Sequence, residues 1–188
     1  MDIHALSDGR IISIRPIRAD DSERLALSHS RLSEESRYRR FMSTKPELTP
    51  ADARYLVNID GRDHYALVAT VAEPNGEAII GVARYIRLHD RPDVAEFAIV
   101  VGDAWQRQGL AAELMGRLAD AAVTRGVRRF CATILADNIG IRHVIEHLAA
   151  GPVERQRDGN VLEVEFPLPT REDLTHRAPA MIGACAGS

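Results

Sequence analysis

The residues best suited to chemistry in this chain are a glutamate set in an apolar strand and a glycine loop that follows it. Glu96 is the one charged residue in the run 94–101, Val-Ala-Glu-Phe-Ala-Ile-Val-Val. Further along, Gln106-x-x-Gly109-x-Ala111 opens directly into a helical pattern. A carboxylate accepts a proton, and the unpaired N–H groups of a helix N-terminus bind anions. The two features together predict proton transfer beside an anion-binding loop.

A strand, a tight loop and a helix must position these residues. The run 94–101 is apolar on both of its faces, which is typical of a strand buried on both sides. After Gly109 the apolar residues follow a helical period, at Leu110, Leu114, Leu118 and Ala121. Gly126 is well placed to end that helix.

Other phosphate-binding motifs do not fit the loop. The Walker motif needs Gly-Lys followed by Ser or Thr, and the single lysine of the chain, Lys45, is elsewhere. The dinucleotide fingerprint needs three glycines, of which only Gly109 is present. The spacing alone leaves open that Gly109 makes only a tight strand-to-helix turn.

Glu96 also has two interpretations. As a catalytic base it would benefit from burial, which is expected to raise its pKa. As an ion-pair residue it would face Arg84, because a symmetric turn at residues 89–93 puts Arg84 on the same sheet face, diagonal to Glu96. The residues by themselves leave both interpretations open.

One competing motif indicates a different chemistry. His143-Val144-Ile145-Glu146-His147 fits the H-x-x-E-H pattern of inverted zinc peptidases. Such a site needs a third protein ligand from a further element, and the sequence after His147 leaves no room for another helical domain. The histidines are therefore interpreted as ordinary helix residues, and no metal is predicted.

Composition excludes several function classes. The 188 residues carry a net charge of −3 with a pI near 6.2, so no bulk attraction to nucleic acid is expected. No run approaches the ~20 apolar residues of a membrane span, and the start, Met-Asp-Ile-His, has no signal-peptide pattern. Two cysteines, Cys131 and Cys185, do not indicate a disulfide framework. We expect a cytoplasmic protein with no nucleic-acid or membrane partner.

The pattern along the chain predicts one domain over residues 1–168 and a loose tail over residues 169–188. The predicted order is a strand, three helices, three antiparallel strands, a helix, a strand, a helix and a final hairpin. Residues 11–17 are expected to be an edge-like first strand, and Asp20-x-x-Glu23 is expected to cap the first helix. Ser33 is expected to cap the second helix, and Thr49 with Pro50 to begin the third.

The loop and its setting resemble a known family. Gln106-x-x-Gly109-x-Ala111, after a strand bearing a glutamate, resembles the Q/R-x-x-G-x-G/A motif of the GNAT superfamily of acetyl-CoA-dependent N-acetyltransferases. The element order over residues 10–168 resembles the same fold. The resemblance implies an α/β (α+β) fold: a mixed, mostly antiparallel sheet flanked by helices, with splayed central strands.

Further segments are similar to one subset of that family. Residues 32–41, Leu-Ser-Glu-Glu-Ser-Arg-Tyr-Arg-Arg-Phe, and the Lys-Pro-Glu-Leu-Thr that follows are similar to the catalytic domain of bacterial protein-lysine acetyltransferases of the Pat type. The runs 81–85 and 95–98 strengthen this likeness. It implies transfer of acetyl from acetyl-CoA to a lysine side chain of an acceptor protein. Arg37, Arg39, Arg40 and Arg62 are then expected to form a basic rim for an acidic partner surface.

The resemblance also assigns the site. Glu96 corresponds to the family's general base for direct attack by the amine. The backbone of Ile99, Val100 and Val101 would hold the carbonyl and the pantetheine. Asn138 would contact pantetheine, although an N-cap role is equally simple. The pyrophosphate would be bound by the loop residues Gln106, Arg107, Gln108, Gly109, Leu110 and Ala111.

The chain departs from the family pattern at two places. Many members carry a tyrosine where this sequence has Ile145, so no general acid is assigned, and Ala149-Ala150 replaces the usual Gly-Phe. Two alternatives to protein acetylation therefore stay open: a small-molecule amine acetyltransferase, and a non-catalytic module that senses acyl-CoA.

Overall fold

An eight-stranded sheet is the frame of the molecule, which a computed structural model describes over residues 2–6, 8–41, 48–74 and 76–170. The strands are β1 (Asp2–Ala5), β2 (Ile11–Pro16), β3 (His64–Glu73), β4 (Gly76–Arg87), β5 (Val94–Val101), β6 (Arg129–Leu135), β7 (Glu154–Asp158) and β8 (Val161–Pro167). Their order in the sheet is β1-β2-β3-β4-β5-β6-β8-β7. Neighbouring strands are antiparallel except for β5 and β6, which run parallel.

Five α-helices occupy the described residues between these strands. They are α1 (Ser22–Ser30), α2 (Glu34–Phe41), α3 (Pro50–Val57), α4 (Leu110–Thr124) and α5 (Ile139–Leu148). The parallel pair follows from α4, because a helical crossover brings the chain back to the same end of the sheet. The predicted α/β fold class and the order of elements over residues 11–167 are confirmed. No helix within the described ranges is both long and apolar enough to cross a membrane.

Several local predictions are confirmed by the caps. The Oγ of Ser33 accepts the backbone N–H of Ser36 at 3.2 Å at the start of α2. Thr49 caps α3 by accepting the N–H of Asp52 at 3.1 Å, with Pro50 at the first helical position. Gly126 follows α4 with a φ of +88°, the left-handed conformation expected of a helix-ending glycine.

Two predictions at the N-terminal end are wrong. The strand from Ile11 does not lie at the sheet edge, because β1 pairs outside it. The Asp20–Glu23 capping box is also absent: Asp21, not Asp20, precedes α1, and its carboxylate accepts the N–H of Arg18 at 2.8 Å. The predicted tail, 169–188, lies outside the described residues apart from Pro169, which is buried, and Thr170, which is exposed.

Apolar side chains cover both faces of the sheet. On one face α4 and α5 pack against an aromatic cluster in the strands, formed by Tyr85, Phe97, Phe130 and Phe166. On the other face α1 and α3 bury Leu25 and Val57 against Val68 and Val82. The aromatic cluster joins β4, β5, β6 and β8, so it fixes the central strands near the start of β5.

A buried ion pair joins the first helix to the sheet. Arg15 of β2 is 3% exposed and Asp21 is fully buried. The guanidinium donates to both carboxylate oxygens of Asp21, at 2.7 and 2.9 Å, and to Glu77 of β4 at 2.7 Å. Burial alone would raise the pKa of Asp21, but the hydrogen bonds from Arg15 and Arg18 outweigh it and lower that pKa.

We predict that Asp21→Asn lowers the free energy of unfolding by about 3–5 kcal/mol, because the buried guanidinium of Arg15 loses a negatively charged partner. The pKa of Asp21 in the folded state lies below its unfolded value of about 3.9. The stabilisation by ionised Asp21 is therefore complete at pH values above about 3.9. It is lost as pH falls through the folded pKa. Urea unfolding from pH 7 to pH 3 measures both effects. The exposed neighbour Asp20 supplies the control, and an Asp20→Asn variant equally destabilised would contradict the assignment.

Candidate active site

The site begins where β5 and β6 stop pairing. Their parallel register ends at Glu96 opposite Cys131, although β5 continues to Val101 and β6 to Leu135. Beyond that point the strands diverge around a cleft of about 840 Å³. Its walls include β5 from Glu96 to Val101, the loop at Gln106–Gly109, and residues of β6 and α5. The splay implied by the resemblance is present.

The register with β4 determines which backbone groups of β5 face this cleft. Gly102 N–H donates to Ile80 C=O at 2.8 Å, and Leu88 N–H donates to Val94 C=O at 3.0 Å. Because hydrogen-bonded and non-bonded pairs alternate along an antiparallel ladder, even-numbered residues of β5 bond to β4. Ile99 and Val101 therefore point their N–H groups toward the cleft. The prediction that the Val100 backbone would also hold the ligand is wrong, because Val100 is opposite Val82 of β4 in a hydrogen-bonded pair, although the residue borders the cleft.

The glycine loop presents a helix N-terminus that no side chain caps. Gly109 is the N-cap of α4 with a φ of +84°, and no side chain bonds to the first N–H groups of the helix. Arg107 also has a positive φ, +59°, which is uncommon for a residue with a Cβ. Alternating left-handed residues turn successive N–H groups toward one side, as in anion-binding nests. The local backbone therefore fits an anion such as a pyrophosphate.

Side chains of this loop mainly hold it in place. Gln106 Nε2 donates to Ser36 Oγ at 3.0 Å and to Val101 C=O at 3.1 Å, and Arg10 bonds to the side chain of Gln108. Leu110 is buried in the core. Of the six predicted loop residues, Gln106, Arg107, Gly109 and Ala111 line the cleft, whereas Gln108 and Leu110 are not among its described lining residues. The loop is thus suited to bind through its backbone.

A carboxylate that the sequence did not single out anchors the loop to α2. Asp103 accepts from Ser33 N–H at 2.8 Å, Ser33 Oγ at 2.7 Å and Ser36 Oγ at 2.7 Å. Partial burial would raise the pKa of Asp103, but these hydrogen bonds lower it. The sequence predicted only the cap role of Ser33. The contact with Asp103 was not predictable, because Asp103 lies far along the chain.

Glu96 occupies the vertex of the splay and is exposed rather than buried. The burial expected for it is therefore wrong, since the diverging strands open the sheet beside its side chain. Arg84 does lie diagonal to it, because Ile86 is opposite Glu96 and Arg84 is opposite Ala98. Within the described ranges, however, Arg84 forms no ion pair with Glu96, and its Nη1 bonds instead to Leu56 C=O at 3.2 Å. The geometry leaves the Glu96 carboxylate available to a proton donor.

The remaining candidates lie on α5. Asn138 lines the cleft and also caps the helix, accepting Ile141 N–H at 3.3 Å. Ile145 is 2% exposed and belongs to the core, so this position contributes no group to the cleft. Glu146 pairs with Arg155 at 3.0 Å, and His147 Nδ1 lies 2.8 Å from His143 C=O. In the part of the chain that the structure describes, no cluster of His, Cys, Asp and Glu could hold a metal ion.

Comparison with known proteins agrees with this geometry. The acetyltransferase (GNAT) domain family matches residues 12–150. The chain belongs to the GNAT family of acetyltransferases. The resemblance inferred from the Gln106–Ala111 motif is therefore confirmed, and the zinc-peptidase interpretation is set aside.

Relatives of this GNAT chain include the Pat type. It is 35% identical over 159 residues to acetyltransferase Pat of Mycolicibacterium smegmatis, covering 85% of this chain and 47% of that protein. It is 34% identical over 140 residues to acetyltransferase PA5475 of Pseudomonas aeruginosa, covering 74% of this chain and 75% of that protein. The crystal structure of the GNAT domain of S. lividans PAT superposes with a TM-score of 0.78 at 34% identity, covering 89% of this chain and 96% of that one. The chain thus spans about half the length of the M. smegmatis relative.

We predict that Gly109→Ala weakens binding of acetyl-CoA, the co-substrate of GNAT acetyltransferases, by about tenfold or more. A Cβ built at Gly109 meets no protein atom within 4 Å, so the methyl group would obstruct only a bound ligand. Gly126 is a matched control at the other end of α4, since it has a φ of +88° and the same open space. Both variants should lose about 1–3 kcal/mol of stability from the left-handed backbone.

Calorimetric titration and thermal unfolding of the two glycine variants separate these effects. Equal affinity for acetyl-CoA in Gly109→Ala and the wild type would remove the loop from the binding site. An equal loss of affinity in Gly126→Ala would show that strain, not position, is responsible.

Proposed function

We propose that the chain is an N-acetyltransferase that moves acetyl from acetyl-CoA to a lysine side chain of an acceptor protein. Acetyl-CoA supplies an acyl group activated as a thioester. The proposal depends above all on one observation: the Glu96 carboxylate lies where the cleft beside the glycine loop begins, at the end of the β5–β6 ladder. Membership of the GNAT family and likeness to acetyltransferase Pat support it.

Glu96 would take the proton that a lysine amine carries in water. A free lysine has a pKa of about 10.4, so the neutral amine is scarce at pH 7, a deficit of about 4.6 kcal/mol. A carboxylate within reach of the ammonium removes that proton directly or through a water molecule. The exposure of Glu96 supports this role, because a base must be accessible to its substrate.

Backbone groups of β5 would hold the carbonyl that the amine attacks. The N–H groups of Ile99 and Val101 point away from β4. Fixed donors of this kind stabilise negative charge on a carbonyl oxygen without having to reorganise. Gly109, Arg107 and the start of α4 would bind the pyrophosphate through backbone N–H groups.

A second groove supports an acceptor side chain of a protein. Glu96 also lines a second groove of about 450 Å³, shared with Cys131, Glu163 and an arginine, Arg155, which pairs with Glu146. Glu163 is exposed, whereas Glu165 at the same groove pairs with Arg91 and Arg129, both at 2.6 Å. An open groove with carboxylates suits an ammonium on an extended side chain that reaches in from a folded surface.

Only part of the basic rim expected from the sequence lies at the site, since Arg37 and Arg62 are not among the described residues that line the cleft. Arg39 and Arg40 line the cleft, and Arg39 pairs with Glu35. Burial lowers the pKa of Arg40, and the charge of Glu96 opposes that effect. We therefore propose that the acceptor enters from the carboxylate side, and that the arginines face the co-substrate side.

The sensor alternative is favoured by one feature, the absence of a tyrosine among the described cleft residues. A sensor would bind acetyl-CoA without turnover, so a turnover measurement discriminates between the two functions.

We predict that Glu96→Gln lowers turnover by about 10²–10⁴-fold, the range for loss of a positioned acid or base. Affinity for acetyl-CoA should change less than a few fold, and part of the rate should return at high pH, where the amine is already neutral. Thiol release measures turnover, and fluorescence of the single tryptophan, Trp105, which lines the cleft, follows binding. Glu146→Gln on the outer surface of α5 is the control. Full turnover in Glu96→Gln would place the base elsewhere.

We predict that labelled acetyl-CoA with a cell extract freed of small molecules yields discrete acetylated protein bands. The bands should vanish with Glu96→Gln, and their peptides should carry acetyl on lysine. Self-acetylation should be slight, since the chain has one lysine, Lys45. Label found only in added dialysable amines would support the small-molecule alternative, and no transfer with intact binding would support the sensor.

A further inference from the structure

Arg84 is a buried cation on the sheet face that carries Glu96. It is 5% exposed and lies on β4 opposite Ala98. Its Nη1 lies 3.2 Å from Leu56 C=O and 3.2 Å from His64 Nε2. Neither contact brings a negative charge, and the guanidinium has further N–H groups to donate.

The charge of Arg84 is uncompensated within the described ranges of the chain. No carboxylate there forms an ion pair with it, and its Nε and Nη2 atoms make no hydrogen bond to a described residue. Burial lowers the pKa of Arg84 to about 10, and the positive charge of Arg40 adds to the effect. At neutral pH the side chain is still a cation. A buried charge without a partner is strongly unfavourable, so this position favours an anion.

Space for an anion lies directly beside Arg84. A cavity of about 50 Å³ separates α1 and α3 from β4 and β5, and Arg84 lines it. Most of its other walls are aliphatic, from Leu25, Leu32, Leu48, Leu56, Ile79 and Val82, and Ser28, His29 and Arg40 also line it. One water molecule needs about 10–15 Å³ of such cavity volume, so the cavity holds roughly three to five non-hydrogen atoms.

The shape and chemistry of the cavity limit which class of anion can bind there. A guanidinium offers a planar fork that a planar carboxylate matches with two parallel hydrogen bonds. The aliphatic walls suit a short hydrocarbon stem, and Arg40 adds a second positive charge to the cavity lining. Ala98 and Val100 line both this cavity and the cleft, so it adjoins the Glu96 site through β5.

We propose that the cavity beside Arg84 is a binding site for a small aliphatic carboxylate of two or three carbons. The carboxylate bonds to the guanidinium, and its stem contacts the leucines of α1 and α3. Two sources share this chemistry: a free short-chain acid, or a glutamate or aspartate side chain that accompanies the acceptor lysine. The site is separate from the glycine loop, so binding of a free acid does not depend on the proposed transfer reaction, whereas the acceptor source rests on it.

The first test compares acetate and propionate with acetamide and sodium chloride at equal ionic strength. We expect a dissociation constant on the order of 1 mM for the two acids. At 20 mM ligand the wild type should then unfold about 4–6 °C higher. Acetamide has the size of acetate but no charge and should give no rise, and hexanoate should be too large to bind. Equal effects of acetamide and acetate would overturn the proposal, as would no effect of either acid.

Two arginine variants on the same strand locate the effect. Arg84→Met should weaken acetate and propionate binding by about 10–100-fold, the value of charge-assisted hydrogen bonds. Arg87→Met is the matched control, because Arg87 pairs with Asp63 at 2.7 Å and is not among the described residues lining the cavity. It should lose stability but keep the response to acetate. Arg84→Lys keeps the charge, should fold, and should bind acetate with intermediate affinity.

Peptide competition separates the two sources of the carboxylate. Saturation-transfer NMR of propionate is recorded with wild-type protein in the presence of two peptides in turn. One peptide contains lysine and glutamate, and in the other glutamine replaces the glutamate. Displacement by the glutamate peptide alone assigns the site to the acceptor, and no displacement by either assigns it to a free acid. Unchanged propionate binding in Arg84→Met would overturn the site whichever source is correct. Affinity for acetyl-CoA, measured in parallel, reports on the proposed function separately.

Discussion

The ladder between β5 and β6 ends at Glu96 and Cys131, and the candidate site depends on that interruption. Parallel strands that continued to pair would occupy the N–H groups of Ile99 and Val101, and no cleft would exist. Because the strands diverge instead, those donors are left for a ligand, and the side chain of Glu96 becomes accessible. Backbone donors without a partner are costly when buried. A bound acyl group and pantetheine would satisfy them, so the apo arrangement is suited to binding rather than to maximal stability.

Two sets of contacts hold the strands in this geometry. Phe97, Phe130 and Phe166 pack at ring separations of 5.6–6.3 Å and keep the strands together where they still pair. At the open end, Gln106 bonds to both Val101 and Ser36, and Asp103 binds the N-terminus of α2. The glycine loop is therefore tied to β5 and to the helix that borders the cleft. A site assembled from fixed backbone groups needs such support, since small displacements weaken binding and catalysis.

The sequence predicted the elements better than it predicted their exposure. The hydrophobic period and the helix caps were sufficient to predict β2–β8 and the five helices. The caps were readable because Thr49, Ser33 and Gly126 act within a few residues of the backbone that they satisfy. β1 was missed, since four residues are too few for a period-two pattern, although Asp8-Gly9 offered a turn signal. The burial of Arg15 was not readable, because its two partners lie outside β2: Asp21 is six residues along the chain and Glu77 is 62 residues away. In a strand such as β2 it looks like an ordinary solvent-facing position.

The candidate site shows the same limit. The glycine motif and the glutamate were found because each is local in sequence and carries its own chemistry. The burial of Glu96 was predicted wrongly, since an apolar run shows what surrounds a strand but not where its neighbour diverges. Val100 was assigned a free backbone because only the register with β4 shows that its groups are used.

Residue-resolved hydrogen exchange on β5, followed by NMR with and without acetyl-CoA, tests the central claim most directly. Without ligand, the amides of Ile99 and Val101 should exchange fast, while that of Val100, bonded to β4, should be protected. With saturating acetyl-CoA, judged by Trp105 fluorescence, Ile99 and Val101 should become protected and Val100 should change little. Slow exchange at Ile99 and Val101 in the free protein, or no added protection when the ligand is bound, would contradict the account.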